Sequence, residues 1–264
     1  MMKQTKGKTP PSESNVPATQ PHTPDMSTDV DWSDEQVSGF ESTRPEDLGI
    51  PFLTILQKGS PEVDETHQDH GHKKIEGAKA GMIINTLTRE LVYSDRNKPL
   101  EFIPCHHVKL YQEWRPRNNS GGFVTSHPNA TILTSCTRNE RNEDVLPNGN
   151  IINTTSYFYG FYFHGGQWNK AIIALTSTQL KKARSWLNMM SSIRIAGKTP
   201  PMFSHVYNTI TAIENNDKGS WYGWKFEISH ALKASNSEII DQARQVAVQM
   251  SNQKLLGAST EATD

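Results

Sequence analysis

Long apolar runs, cysteine and net charge are all scarce in this 264-residue chain. No stretch approaches the ~18 consecutive apolar residues of a membrane helix, which excludes an integral helical membrane protein. The N-terminal residues Met1 to Ser14 lack an apolar core, so secretion is not expected. Cys105 and Cys136 are the only cysteines. Two cysteines cannot build a disulfide framework, and a reducing cytoplasm is the expected setting. Hydrophobic residues make up only 34% of the chain. That is below the usual share for a compact domain, so part of the chain is expected to stay outside the core.

Catalytic signatures are missing too. There is no Walker A loop, no G-x-G-x-x-G after a strand, no G-x-S-x-G and no H-E-x-x-H. The expectation is a protein that binds rather than an enzyme, although distant carboxylates could still assemble in space. Neither cysteine has a second one at zinc-site spacing. His106 and His107 would point to opposite faces of a strand. No metal and no cofactor is expected.

The formal net charge of −1 hides a division. Residues 1–48 hold six prolines, few large apolar groups and a net charge of −5. Such a segment cannot bury enough surface to offset its ordering entropy, so it reads as a disordered acidic tail. The last ten residues, 255–264, carry −2 and read as a short flexible tail. The intervening 49–254 carry +6 and read as a single β-rich domain with a C-terminal helix. The stretch from Gly165 to Ala234 alone carries +6. A field of this kind suits a polyanion, and equally an ordinary solvated surface.

Within the body, Gly49 to Leu56 should dock the chain onto the core, and 61–80 reads as a loop. Strand patterns follow at Met82–Leu87, Leu91–Tyr93 and Leu100–Trp114, with Pro99 and Pro104 restricting the third to an edge or a bend. Phe123–Val124 and Thr131–Leu133 are short strand candidates. Ile151 to Phe163, dense in aromatic and β-branched residues, turns at Gly165-Gly166 into Gln167–Leu175 as a hairpin. Thr176 and Gln179 fit a capping box ahead of a helix with Leu180, Ala183, Trp186, Leu187 and Met190 on one stripe. Met202–Ile213 and Ser220–Ser229 make a second hairpin. Ser235 and Glu238 suggest another box, opening a helix that buries Ile239, Ala243, Val246 and Met250. The fold class is mainly β with helices, either an OB-like β-barrel or an α+β antiparallel sheet.

Three constellations could bind. In His107 to Arg117, Lys109, Tyr111, Glu113 and Arg115 share one face of a strand, with Val108, Leu110 and Trp114 on the other. Cations beside an aromatic suit a strand that tracks phosphates and stacks a base; a charged edge strand is the plainer alternative. In Tyr157 to Phe163, rings point both ways. One face must pack the core, and the other is either covered by a helix or open for stacking. In Lys218 to Lys225, Trp221 sits by a turn on the polar face, as stacking or a protein interface would require.

Asp47 to Leu53, Gly81-Met82-Ile83, Glu113 to Arg117 with Gly121 to Val124, Ser177 to Lys182 and Lys218 to Trp221 resemble segments of proteins carried by tailed bacteriophages. This resemblance spans most of 47–228. In plan the chain is similar to phage single-stranded DNA-binding proteins, whose family has an OB-type barrel and an acidic C-terminal tail. Here the acidic segment is at the other end, between Asp25 and Asp47.

The resemblance implies a single-stranded DNA-binding protein of phage replication or recombination, acting in the cytoplasm of the infected bacterial host. Lys109, Arg115, Arg117, Lys170, Lys181, Arg184 and Lys225 would meet phosphates. Tyr111, Tyr157, Tyr159 and Trp221 would stack bases. Trp114 and Trp186 read as core. Single-stranded DNA is the expected partner, with self-association and contacts to phage or host replication proteins beside it. A phage structural or assembly protein, or a single-strand-dependent transcription regulator, is the alternative.

Overall fold

The computed structural model describes residues 49–95, 98–116, 121–217 and 219–252. Both expected tails, 1–48 and 255–264, lie outside the described residues.

Two long strands organise the protein. β4 (Leu100–Trp114) and β8 (Ile151–His164) pair antiparallel along most of their length. β8 turns at Gly165-Gly166, both with positive φ, into β9 (Gln167–Thr176). β10 (His205–Asn216) pairs with the start of β4 and with β11 (Gly219–Ala231). β5 (Phe123–His127) pairs with the end of β4. The short strands β6 (Thr137–Arg138) and β7 (Asp144–Val145) extend the sheet from the start of β8. The eight strands form one curled antiparallel sheet, a half-barrel, as the β-rich pattern predicts.

A second sheet joins β1 (Leu53–Ile55), β2 (Ile83–Asn85) and β3 (Leu91–Tyr93). It reaches β9 through a bridge between Phe52 and Ile172. The loop at 61–80 contains one short helical turn, α1 (His70–Lys73).

Pro104 sits within a central strand rather than at an edge. β10 pairs only with Leu100 to Phe102, and the ladder to β8 shifts register between Pro104 and His106. The proline's missing donor is thereby absorbed at a bulge. Gly160 lies opposite Pro104, and a Cβ on it would come within 2.1 Å of the Ile103 carbonyl oxygen. This glycine serves close backbone packing.

Two helices cover the two faces of the sheet. On one face, α2 (Leu180–Ser192) buries Ala183, Trp186 and Met190 against Phe102, Phe158, Tyr207 and Phe226. Trp186 stacks on Phe226, with centroids 3.8 Å apart and planes at 5°. On the other, α3 (Ser237–Asn252) packs Ile239 and Ala243 against Ile103, Phe161 and Val206. A buried aromatic of this size is worth ~1.5–3 kcal/mol, so these layers carry much of the stability. The aromatic strand β8 is thus covered on both faces, the helix-covered alternative.

Three local expectations differ. Thr131–Leu133 lies in a 3-10 turn, Ala130–Ser135, which closes on itself through Cys136 N–H to Leu133 O. Thr176 does not cap α2. Its hydroxyl donates to Thr154 O, while Gln179 reaches Glu214 and Trp224 instead, after a 3-10 turn at Ser177–Gln179. Ser235 likewise lies inside a 3-10 turn, where Asn236 Oδ1 accepts from Lys233 N–H. At α2 longer-range partners displace the local box, and before α3 a box shifted to Lys233 and Asn236 replaces it.

Candidate nucleic-acid interface

An open cleft of about 1170 Å³ lies where β4, β7 and β8 meet. Its apolar floor comes from Val145 and Ile151, and Trp114 and Asn153 line it from the adjoining strands. Arg115 and Arg141 add guanidinium groups, neither ion-paired among the described residues. Glu140 and Glu143 also line it, and Glu143 accepts a hydrogen bond from Asn139 Nδ2 at 2.8 Å. Trp114 is half-buried and meets Phe123 edge-on at 5.5 Å. The expectation that Trp114 is simply core is corrected: it borders the cleft because β8 begins beside it and the turn between β6 and β7 lines the same cleft. Arg141 and Asn153 are cleft residues that no local pattern announced.

Glu113 fixes one wall. It is 7% exposed and accepts from Asn150 Nδ2, from Asn148 Nδ2 at 3.3 Å, and pairs with His127 Nε2 at 2.9 Å. The Asn150 bond above all, then the His127 and Asn148 bonds, hold its carboxyl below the usual range against the opposing effect of burial. One carboxylate so ties β4 to β5 and to the turn carrying Gly149, which lines the cleft.

The expected face of β4 forms in the stated register. Lys109 and Tyr111 oppose Ser156 and Thr154, with Lys109 exposed and Tyr111 half-buried beside His127. His106 and His107 fall on opposite faces. His107 packs on Phe158 at 4.7 Å, and burial, aided by Lys109 and His106, pushes its imidazole down to about 4. Among the described residues no group of three His, Cys, Asp or Glu could hold a metal ion.

Tyr157 and Tyr159 are corrected as stacking residues. They are 2% and 8% exposed, enclosed with Leu110, Ile172, Phe52 and Met250. Phe52, just before β1, and Met250 of α3 close the face that the strand pattern left open. Burial also pushes the Tyr157 phenol up to about 12. Lys170 is exposed on β9, and Lys181 and Arg184 are exposed on α2, none of them ion-paired among the described residues. Lys225 is exposed but pairs with Glu227 at 2.7 Å. Arg117 lies outside the described residues. These cations sit on separate elements rather than along one strand.

Trp221 is half-buried, and its indole N–H donates to Glu214 Oε2 at 3.1 Å. Lys182 Nζ lies 2.9 Å from Glu214 Oε1, and Gln179 Nε2 donates to Oε2 at 2.9 Å. Burial would raise the Glu214 carboxyl, but these bonds outweigh it and hold it below its ordinary value. Internal bonding therefore accounts for the Trp on the polar face without a ligand.

The sequence profile of the Pam3 phage gp34-like protein family matches residues 18–255. The chain belongs to that family. No curated protein and no solved structure matches it. Family membership bears out the phage resemblance, and with it the cleft becomes a site on a bacteriophage-type protein. Among the described residues no helix is long and apolar enough to cross a membrane.

Proposed function

We propose that this phage-family chain binds single-stranded DNA without turnover, in replication or recombination. The observation that carries the reading is the cleft: a half-buried indole next to two guanidinium groups that no carboxylate pairs among the described residues. Trp114 offers a ring to a base, and Arg115 and Arg141 meet flanking phosphates. Glu140 and Glu143 balance the formal charge of the two arginines in the lining, so binding is weak and indifferent to sequence. Two phosphate contacts give a log–log salt slope of about −1.4 for a single strand. Lys109, Lys181 and Arg184 add contacts outside the cleft.

A phage structural or assembly role is the competing reading. Ile213 and Ile228, 62% and 46% exposed on the β10–β11 hairpin, favour it, since a protein contact would cover them. Fluorescent oligo-dT binding at two salt concentrations, with duplex DNA as control, tests the choice. Binding at low salt that drops about tenfold in Arg115→Ala/Arg141→Ala supports the DNA reading. Absence of any binding at low salt removes it and leaves the assembly role.

A further inference from the structure

The odd-numbered residues of β8 share the α3 face, yet their exposure changes along the strand. Tyr157, Tyr159 and Phe161 are 2%, 8% and 1% exposed, whereas Phe163 is 41% exposed. Phe163 opposes Trp168 across the hairpin, with ring centroids 5.2 Å apart and planes at 60°. Trp168 is half-buried, resting on the cluster beneath α3. Lys170 opposes Phe161, so it lies on the same face, exposed and not ion-paired among the described residues. The turn of Gly165 and Gly166 adds no side chain that could shield the rings. The neighbouring Glu90 carboxylate is engaged by His164 at 2.9 Å, and His164 belongs to the opposite face.

A ring pair with Phe163 exposed, beside an ammonium that no carboxylate pairs among the described residues, is the chemistry that recognises a nucleotide: a flat apolar surface for the base and a cation for its phosphate. Ile151 and Asn153, on this same face of β8, line the cleft at the strand's other end. The thirteen residues from Ile151 to Phe163 span at most roughly 40 Å.

We propose that Phe163, Trp168 and Lys170 form a second contact for the single strand held at the cleft. A base stacks on the exposed Phe163 ring and Lys170 meets the adjacent phosphate. The proposal rests on the single-strand reading above. Two linked contacts make affinity length-dependent, because a strand that reaches both binds the second at high effective concentration.

The test uses the full chain with dT oligomers of about 6 and about 30 nucleotides at low salt. Phe163→Ala/Lys170→Gln should weaken the long oligomer by ~5–150-fold, the range of one stacked base, while changing the short one less than twofold. Phe163→Leu, which keeps apolar bulk, should share most of the loss for the long oligomer. Trp168→Phe should reduce the fluorescence quenching that the long oligomer causes. Wild-type binding of both oligomers with no loss in the double variant overturns the second contact and leaves the cleft reading standing. Retained affinity in Phe163→Leu overturns it too, as does self-association that Phe163→Ala abolishes without affecting DNA. If the wild type binds neither oligomer, the single-strand reading fails, and this contact with it.

Discussion

The side-chain amide of Gln57 pairs with the backbone of Tyr222 as another strand would. Gln57 Nε2 donates to Tyr222 O at 2.9 Å, and Tyr222 N–H donates to Gln57 Oε1 at 2.9 Å. Two residues on, Trp224 N–H donates to Gln179 Oε1 at 2.9 Å. β11 ends the large sheet, and an end strand with unpaired amides invites pairing with another chain. Two glutamines block that edge. Gln57→Ala should cost ~1–3 kcal/mol for two lost bonds and raise concentration-dependent association. Light scattering and thermal melts check both; an unchanged melt and monomer fraction would refute the blocking role.

Glu113 contributes to stability as a carboxylate. Its folded pKa lies below its ordinary value of 4.5, so the contribution is present above about 4.5 and is lost as pH falls further. Glu113→Gln should destabilise by ~1.5–3 kcal/mol at pH 7, the range for bonds to a charged group. The gap to wild type should narrow in acid. Denaturant titrations at pH 7 and pH 4 decide it, and a constant gap would count against this account.

His107 works in the opposite sense from a paired histidine. It is held neutral, with its pKa lowered from 6.5 to about 4, so only the unfolded chain takes up a proton just below pH 6.5. Stability should fall as pH drops from 6.5 toward 4. His107→Leu should flatten that limb, leaving the smaller slopes of His106 and His205, which burial also lowers. An identical pH profile in the variant would show that the ring is not the source.

Gly160→Ala should be among the most damaging small changes. The added methyl meets the Ile103 carbonyl oxygen at 2.1 Å and the Phe102 ring at 2.7 Å. Relief requires the two central strands to part, at a cost of about 3 kcal/mol or more, the upper end of overpacking. Gly49→Ala, with nothing within 4 Å, is the matched control. Equal melting temperatures for the two would contradict the close approach.

The long strands were legible because their signals are local. Alternating aromatics and the Gly165-Gly166 turn define β8 and β9 to within a residue, and the side-chain faces of Lys109 to Trp114 follow from the two-residue period. What the sequence hid depends on distant segments. Tyr157 and Tyr159 alternate like binding residues, but Phe52 and Met250 cover them from opposite ends of the domain. Gln179 looks like a capping residue, yet Glu214 and Trp224 claim it. Trp114 reads as core until the β6–β7 hairpin, invisible in its own strand, opens a cleft beside it.

β8 has paired neighbours on both edges, β4 on one and β9 with β7 on the other, and helices over both faces. No local opening can bring its central amides to water, so the amides of Tyr157 to Tyr162 should exchange with deuterium only when the whole domain unfolds. Their exchange rate is a built-in gauge of global stability. A ligand that binds only the native domain should slow that rate by the factor its own affinity sets, without touching a single residue of the strand's centre.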